Sequence, residues 1–220
     1  MATKKLKSLK GRVMRLTRLD ECGVPDTGLA ATMVTAGFVS VGWEFEVKEG
    51  DEYELENAWG DAYVDEKDPN RYRWVNLSIT ACEVDPDVLD IVTSATVITD
   101  GTDNIGNSFG TGLITNAFAI EVWTKQAGRN CSGGNPEWGY FLAPFVVDGS
   151  IADGFTIEKG TLTFSMSGRG IADIADWGEG PHGDNPLLET GGLTAGELMA
   201  VVRTTVQPPA ESAPAALPAP

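Results

Sequence analysis

Phe38 to Asn57 reads FVSVGWEFEVKEGDEYELEN, and its period of two decides the fold class. Val39, Val41, Trp43, Phe45 and Val47 fall on one side of an extended chain, with Ser40, Gly42, Glu44 and Glu46 on the other. Asp51 to Asn57 alternates in the same way, Tyr53 and Leu55 against Glu52, Glu54 and Glu56. Lys48-Glu49-Gly50 fits a hairpin loop whose glycine takes the left-handed position. The predicted register sets Phe45 opposite Tyr53, Trp43 opposite Leu55, Glu46 opposite Glu52 and Glu44 opposite Glu54. Directly opposed like charges destabilise a hairpin by a few tenths to ~1 kcal/mol per pair. A slip of one residue would relieve them but mix the two faces. The expected hairpin is dry on one side and densely acidic on the other. The plainer account of that acid is an ordinary solvated face.

Further strands are expected on both sides of this one. Arg73 to Val84 is extended and carries Val75, Leu77, Ile79 and Ala81 on one side. Asp85-Pro86-Asp87 then opens a helix to about Thr93, with an acidic N-cap, proline in the first turn and acid at the positive end of the dipole. Asp100 to Gly112 is rich in Gly, Asn and Asp and reads as a long loop. Strands resume at Ala117 to Thr124 and Tyr140 to Val147, followed by a hairpin from Phe155 to Ser167 turning at Lys159-Gly160 and a last strand from Leu198 to Val206. About eight to ten strands and a single short α-helix predict a mainly β fold, a sandwich or partly closed barrel.

The composition agrees. Glycine, 26 of 220 residues, runs at about 12% against a usual ~7%, as Gly-rich turns between short strands require. A chain of this length buries a real core as one domain. The net charge of −16 argues against general nucleic-acid binding, and no apolar run is long enough to span a membrane. The lysines at the start have no apolar stretch behind them, so a signal peptide is not expected. Residues 1–19 hold Lys4, Lys5, Lys7, Lys10, Arg12, Arg15 and Arg18 and no acid, so the body is more negative than the whole. We read 1–19 as a basic N-terminal arm and 20–206 as the β domain. The arm's Lys4, Lys5, Lys7, Lys10 and Arg12 are candidates for contact with an acidic neighbour; the alternative is a floppy leader. Gln207 to Pro220 reads QPPAESAPAALPAP and is expected to be a disordered Pro/Ala-rich tail.

Catalytic inventories are thin. Gly106-Asn107-Ser108-Phe109-Gly110 matches the nucleophile-elbow pattern, but a polar loop is expected before Ser108 and no helix after it. The single histidine, His182, follows Pro181 in a Gly-rich turn and reads as a loop residue. The glycines around Ser108 lack the Gly-Lys-Ser/Thr ending of a phosphate cradle. Cys22, Cys82 and Cys131 are widely spaced without a CxxC pair, which argues against zinc and for reduced, mostly buried thiols. No enzyme activity, metal or cofactor is expected.

An ordered set of segments resembles a known family, the major tail (tail tube) proteins of long-tailed, non-contractile bacteriophages, especially those infecting actinobacteria. The segments are RVMRLTRLDECGVP (Arg12 to Pro25), GFVSVGWEFEVKEGDEYELENAWGD (Gly37 to Asp61), NLSITACEVDPDVLDIVT (Asn76 to Thr93), AIEVWT (Ala119 to Thr124), GYFLAPFV (Gly139 to Val146), TIEKG (Thr156 to Gly160) and the turn Trp177 to Pro181. The chain lacks the family's cysteine near Tyr63 and has Lys159-Gly160 where relatives turn on Asn-Gly. The resemblance implies a tail-tube β fold in hexameric rings that stack into a tube, assembled in the host cytoplasm and carried in the virion. Each subunit would add hairpin strands to a continuous β-barrel around the lumen. It implies tape measure, tail terminator and distal tail or baseplate proteins as partners, with DNA passing through unbound. Glu44, Glu46, Glu52, Glu54 and Glu56 become the lumen-facing candidates, because an acidic wall repels DNA within a screening length of ~8–10 Å. A carbohydrate-binding or host-recognition β-sandwich is the alternative, with Trp43, Trp59, Trp74 and Trp138 as stacking faces.

Overall fold

The computed structural model describes residues 6–28, 30–83, 85–126, 136–158, 161–172, 177–178, 180–187 and 191–217. The described residues are mainly β with one helix, α1 (Pro86–Thr93). Nine strands join one sheet: β1 (Ser8–Leu19), β2 (Thr32–Thr35), β3 (Phe38–Lys48), β6 (Arg71–Ala81), β9 (Ala117–Gln126), β10 (Trp138–Glu158), β11 (Thr161–Gly170), β12 (Ala200–Thr204) and β13 (Ser212–Ala215). Two ribbons lie outside it, β4 (Glu52–Glu56) with β5 (Ala62–Lys67), and β7 (Thr96–Asp100) with β8 (Asp103–Ser108). The large sheet runs β13-β2-β1-β9-β10-β11-β6-β3, with β12 added to β10. Its ends do not meet, so of the expected sandwich or partly closed barrel the mainly β character stands and the large sheet is open.

Strand β10 makes the curl. Its first part pairs with β9 from Trp138 to Val146, and its second part pairs with β11 from Val146 to Glu158. Within that second part the register slips twice, at Val147/Ser150 and Ile151/Phe155, with Asp148 (φ 56) and Gly154 (φ 70) in left-handed conformations. Such bulges bend a strand and raise its twist. The two halves therefore wrap a shared core: Met14, Leu16, Phe118 and Ile120 from one, Leu77, Ile79, Phe164 and Met166 from the other, with Val88, Leu89, Ile91 and Val92 of α1 between them.

α1 begins where the sequence expects. Asp85 accepts from the Asp87 amide at 3.0 Å, and Pro86 occupies the first turn. Its far end is held by Asn116, whose amide donates to the carbonyls of Asp90 (2.6 Å) and Ile91 (3.1 Å). Those are carbonyls a helix end leaves without internal partners. β9 is buried from Ala117 to Thr124 on both faces. Its odd residues Ala117, Ala119 and Trp123 join a second cluster with Tyr140, Leu142, Phe145, Trp177 and Leu193.

Four expectations are corrected. The basic arm is a strand from Ser8 onward, hydrogen-bonded between β2 and β9, with Val13, Met14 and Leu16 buried. Its cations hid an apolar alternation. The Pro/Ala tail is not structureless, because Ser212–Ala215 pairs with Val34 and Thr32. Backbone groups on the β2 edge supply that contact without apolar side chains. The loop from Asp100 to Gly112 is half ribbon: Gly101 (φ 65) turns β7 into β8. Its asparagines, which looked like loop residues, donate to α1, Asn104 to Asp87 (2.5 Å) and Asn107 to the Pro86 carbonyl (2.9 Å). Cys22 and Cys82 are exposed free thiols in turns, not core residues, and Cys131 lies outside the described residues.

Candidate assembly surface

The hairpin expected at Lys48-Glu49-Gly50 does not form. β3 pairs instead with β6, setting Phe45 opposite Val75, Glu44 opposite Asn76 and Glu46 opposite Trp74. β4 turns back on β5, with Glu52 opposite Lys67 and Leu55 opposite Val64. The electrostatic reason is plain: the expected register opposed two pairs of glutamates, whereas this one gives Glu44 an amide and Glu52 a cation. Two like-charge pairs remain, Glu54 opposite Asp65 and Lys48 opposite Arg71. Glu52 and Lys67 form an exposed ion pair, whose hydrogen bond and charge lower the Glu52 pKa and raise that of Lys67.

All five candidate glutamates are exposed, but Glu44 and Glu46 lie on β3 of the large sheet and Glu52, Glu54 and Glu56 on the separate β4–β5 ribbon. Glu44 and Glu46 continue a polar sheet face. Toward the core that face carries Ser40 opposite Thr80 and Gly42 opposite Ser78, then Ser165 and Ser167 on β11. Ser150 of β10 reaches Ser167 at 3.2 Å. Near Glu46, Trp74 is capped by the guanidinium of Arg73, 4.0 Å from the ring centroid, with that of Arg169 at 5.2 Å.

The opposite face of β3 changes character along its length. Val41 and Trp43 pack on the core, but Phe45 and Val47 are exposed beside Tyr72, with the Phe45 and Tyr72 rings 5.2 Å apart. The dry stripe therefore ends at Trp43. Beyond it the β4–β5 ribbon shows solvent both its acid and its apolar residues Tyr53, Leu55 and Tyr63, with Trp59 at the turn 91% exposed. The ribbon is built with care at both ends. Asn57 Oδ1 accepts from the amides of Trp59 (2.9 Å) and Asp61 (3.0 Å), and Gly60 takes φ 85. At its base Gly50 donates to Asn70 at 3.0 Å, and a Cβ on Gly50 would lie 1.7 Å from the Asp68 carbonyl.

β3 itself is the last strand of the sheet. Among the described residues its outer edge meets no other strand over Phe38–Lys48. Long exposed edges are ready templates for another chain.

A buried polar network lies on the other side of β1. The Arg15 guanidinium grips Glu121 at 2.5 and 2.7 Å and reaches Asp184 at 2.7 Å. The Tyr140 hydroxyl donates to Glu121 at 2.7 Å, and His182 Nε2 lies 3.1 Å from Thr17 Oγ1. Burial works to depress the Arg15 pKa, but the two carboxylates more than reverse it and hold the guanidinium charged. Burial raises the Tyr140 pKa, with the Glu121 charge acting in the same sense. Burial and the Arg15 charge lower that of His182. This network ties the 180–187 loop to β1, β9 and β10. His182, read as a plain loop residue, is thus buried and bonded. Glu121 inside the apolar run Ala117 to Trp123 was the available signal, since a charge there needs a buried partner.

The remaining candidates scatter. Ser108 ends strand β8, not a polar loop, and His182 faces Thr17. Lys7, Lys10 and Arg12 are exposed at the start of β1, the Lys7 amide donating to Gln126 at 2.7 Å, while Lys4 and Lys5 lie outside the described residues. Of the four tryptophans, Trp43 and Trp138 pack against the clusters and Trp74 is capped by arginines, which leaves Trp59 open. No helix among the described residues is long and apolar enough to cross a membrane. In comparisons with known proteins, no family model matches the chain and no curated protein matches its sequence.

Proposed function

We propose that the chain is a non-catalytic structural subunit, the tail tube protein of a long-tailed phage, that assembles into stacked hexameric rings around a channel for the genome. The observation that carries this reading is the β3 edge. An 11-residue strand ends the open sheet with its outer backbone unpaired among the described residues. It bears exposed Glu44 and Glu46 on one face and exposed Phe45 and Val47 on the other. A monomer in water gains nothing from exposed aromatics beside an open edge, and soluble proteins usually blunt such edges. A neighbour adding its strands there would cover the apolar side and leave the glutamates and hydroxyls facing water. In a tube that wet side is the lumen, and acid is the sign that keeps DNA from adhering. Assembly would take place in the host cytoplasm and the product would sit in the virion tail, between tape measure, terminator and distal tail proteins.

Cryo-EM of the purified protein at rising concentration tests this. Rings or tubes with Glu44 and Glu46 toward the lumen are expected. Monomers at every concentration, or those side chains buried between subunits, would overturn it.

A further inference from the structure

A second apolar surface lies at the other end of the molecule from the β4–β5 ribbon. Phe109, Leu113, Ile114 and Phe155 border a cleft of about 600 Å³ between the end of α1 and the bulged part of β10. They are 51%, 88%, 47% and 43% exposed. Phe155 anchors the floor, its ring 6.1 Å from that of Phe109 and 5.6 Å from that of Phe164. Among the described residues no charged side chain lines the cleft, which suits an apolar or aromatic group.

The register places the two surfaces. Phe155 lies opposite Phe164, Phe164 opposite Ala81, and Ala81 opposite Phe38. This row crosses the sheet at the start of β3. The ribbon departs from the other end, where Lys48 lies opposite Arg71. Ten residues of strand separate the two rows, roughly 33 Å at ~3.3 Å per residue. The molecule therefore carries an aromatic projection at one end and an aromatic-lined recess at the other. It cannot fill its own cleft with its own ribbon across that span.

We propose that the Trp59 tip of the β4–β5 ribbon seats in the Phe109–Leu113–Phe155 cleft of a second copy of this chain. Two different patches meet in such a contact, so it is heterologous and propagates head to tail rather than closing as a two-fold dimer. The cleft has room for an indole with the flanking Leu55. The contact is smaller than the ~800 Å² per partner of a standard interface, so it acts in concert with the β3 edge and is transient in dilute solution. The ribbon brings Glu52, Glu54, Glu56 and Asp65 toward an acidic body, and salt should strengthen the contact by screening that repulsion. The inference needs only that two copies meet and goes beyond the tube reading by naming the surfaces that touch.

Covalent trapping tests it. Cys22, Cys82 and Cys131 are first changed to Ser, and Ala58→Cys and Gly112→Cys are introduced. Both new thiols leave Trp59, Phe109 and Leu113 in place, and a Cβ at Gly112 meets nothing within 4 Å. Oxidation of the double variant at high protein concentration in about 0.5 M salt, where screening is short-ranged, should give a ladder of covalent dimers, trimers and longer chains. Mixed single variants should give dimers only, and each single variant alone should stay monomeric. Adding Trp59→Ala should cut the ladder at least about tenfold with unchanged circular dichroism. Monomers from the double variant, dimers from Ala58→Cys alone, or a ladder indifferent to Trp59→Ala would overturn the contact. Tubes in the microscope without a ladder would sink this contact and leave the tube reading standing; a ladder without tubes would do the reverse.

Discussion

Arg15 and Glu121 face each other across β1 and β9 as a two-point ion pair, with side chains 3% and 0% exposed. Fork-to-carboxylate geometry of this kind satisfies both charges at once, and the Tyr140 hydroxyl fills another lone pair of Glu121. Removing one partner should be far worse than removing both. We expect Glu121→Gln to destabilise by about 3 kcal/mol, because a buried guanidinium is left under-compensated. Arg15→Met with Glu121→Met should cost less than either single change. Asp184→Asn, at a half-exposed partner, should cost about 1 kcal/mol or less. Urea unfolding midpoints at neutral pH read each of these variants.

His182 should make stability fall on acidification. Its folded pKa lies below the ordinary histidine value of about 6.5, so below that pH the unfolded chain takes up a proton that the folded chain refuses. Stability then rises with pH across this window, by up to about 1.4 kcal/mol per pH unit for one proton. His182→Gln should flatten that limb. If the unfolding midpoints of the two proteins run parallel from pH 7.5 to 5, the histidine is not titrating in this way.

Gly149 marks where β10 touches α1. A Cβ there would lie 1.8 Å from the Val92 carbonyl oxygen and 3.2 Å from the Phe118 ring. Gly149→Ala should therefore push the helix end off the sheet and cost about 2 kcal/mol. For a chain this long that is a drop in Tm of roughly 4–8 °C. Gly112→Ala, in open space, is the control and should leave Tm unchanged.

Truncation after Val206 should strip β13 from β2. The loss is a few edge hydrogen bonds, about 1–2 kcal/mol in all. Hydrogen exchange should speed up at Thr32 and Val34, the residues paired with Ala215 and Ser212, while β9 amides stay protected. Unchanged protection in β2 would show that the tail only rests there.

Charge reversal tests the lumen. Glu44→Lys with Glu46→Lys should still assemble, since both side chains are exposed on the wet face. Basic groups would then bind passing DNA through released counterions. Particles carrying the variant should eject DNA several-fold more slowly, with the defect shrinking as salt rises. Normal ejection kinetics would place these carboxylates elsewhere.

Short-range chemistry was legible in the chain. The α1 cap is local, since Asp85, Pro86 and Asp87 act within one turn, and the expected boundaries match the observed Pro86–Thr93. The apolar alternation of β6 is local too, and Val75, Leu77, Ile79 and Ala81 are all buried. So is the run that became β9. In β6 the pattern alone decides which side is apolar, and in β9 a nearly unbroken apolar run marks a strand buried on both faces.

Pairing was not legible, because it depends on energies between distant segments. Alternation made β3 a strand but could not say whether β4 or β6 would lie beside it. The competing glutamate pairs and the cation at Lys67 settled that. Lys and Arg in residues 7–18 concealed a strand because a strand between two others needs apolar residues only where it meets the core, and its outer cations stay in water. The C-terminal segment had no apolar pattern to read, yet β2 offered it backbone partners. His182 and Asp184 became part of a buried network only because Arg15 and Glu121, 106 residues apart, are brought face to face. The sequence by itself determined that β3, β6 and β9 are extended and where the helix starts, through patterns and contacts within a few residues. The tertiary structure decided which strands are neighbours, which edge stays open and which charges are buried, because those depend on groups that only folding brings within a few ångströms.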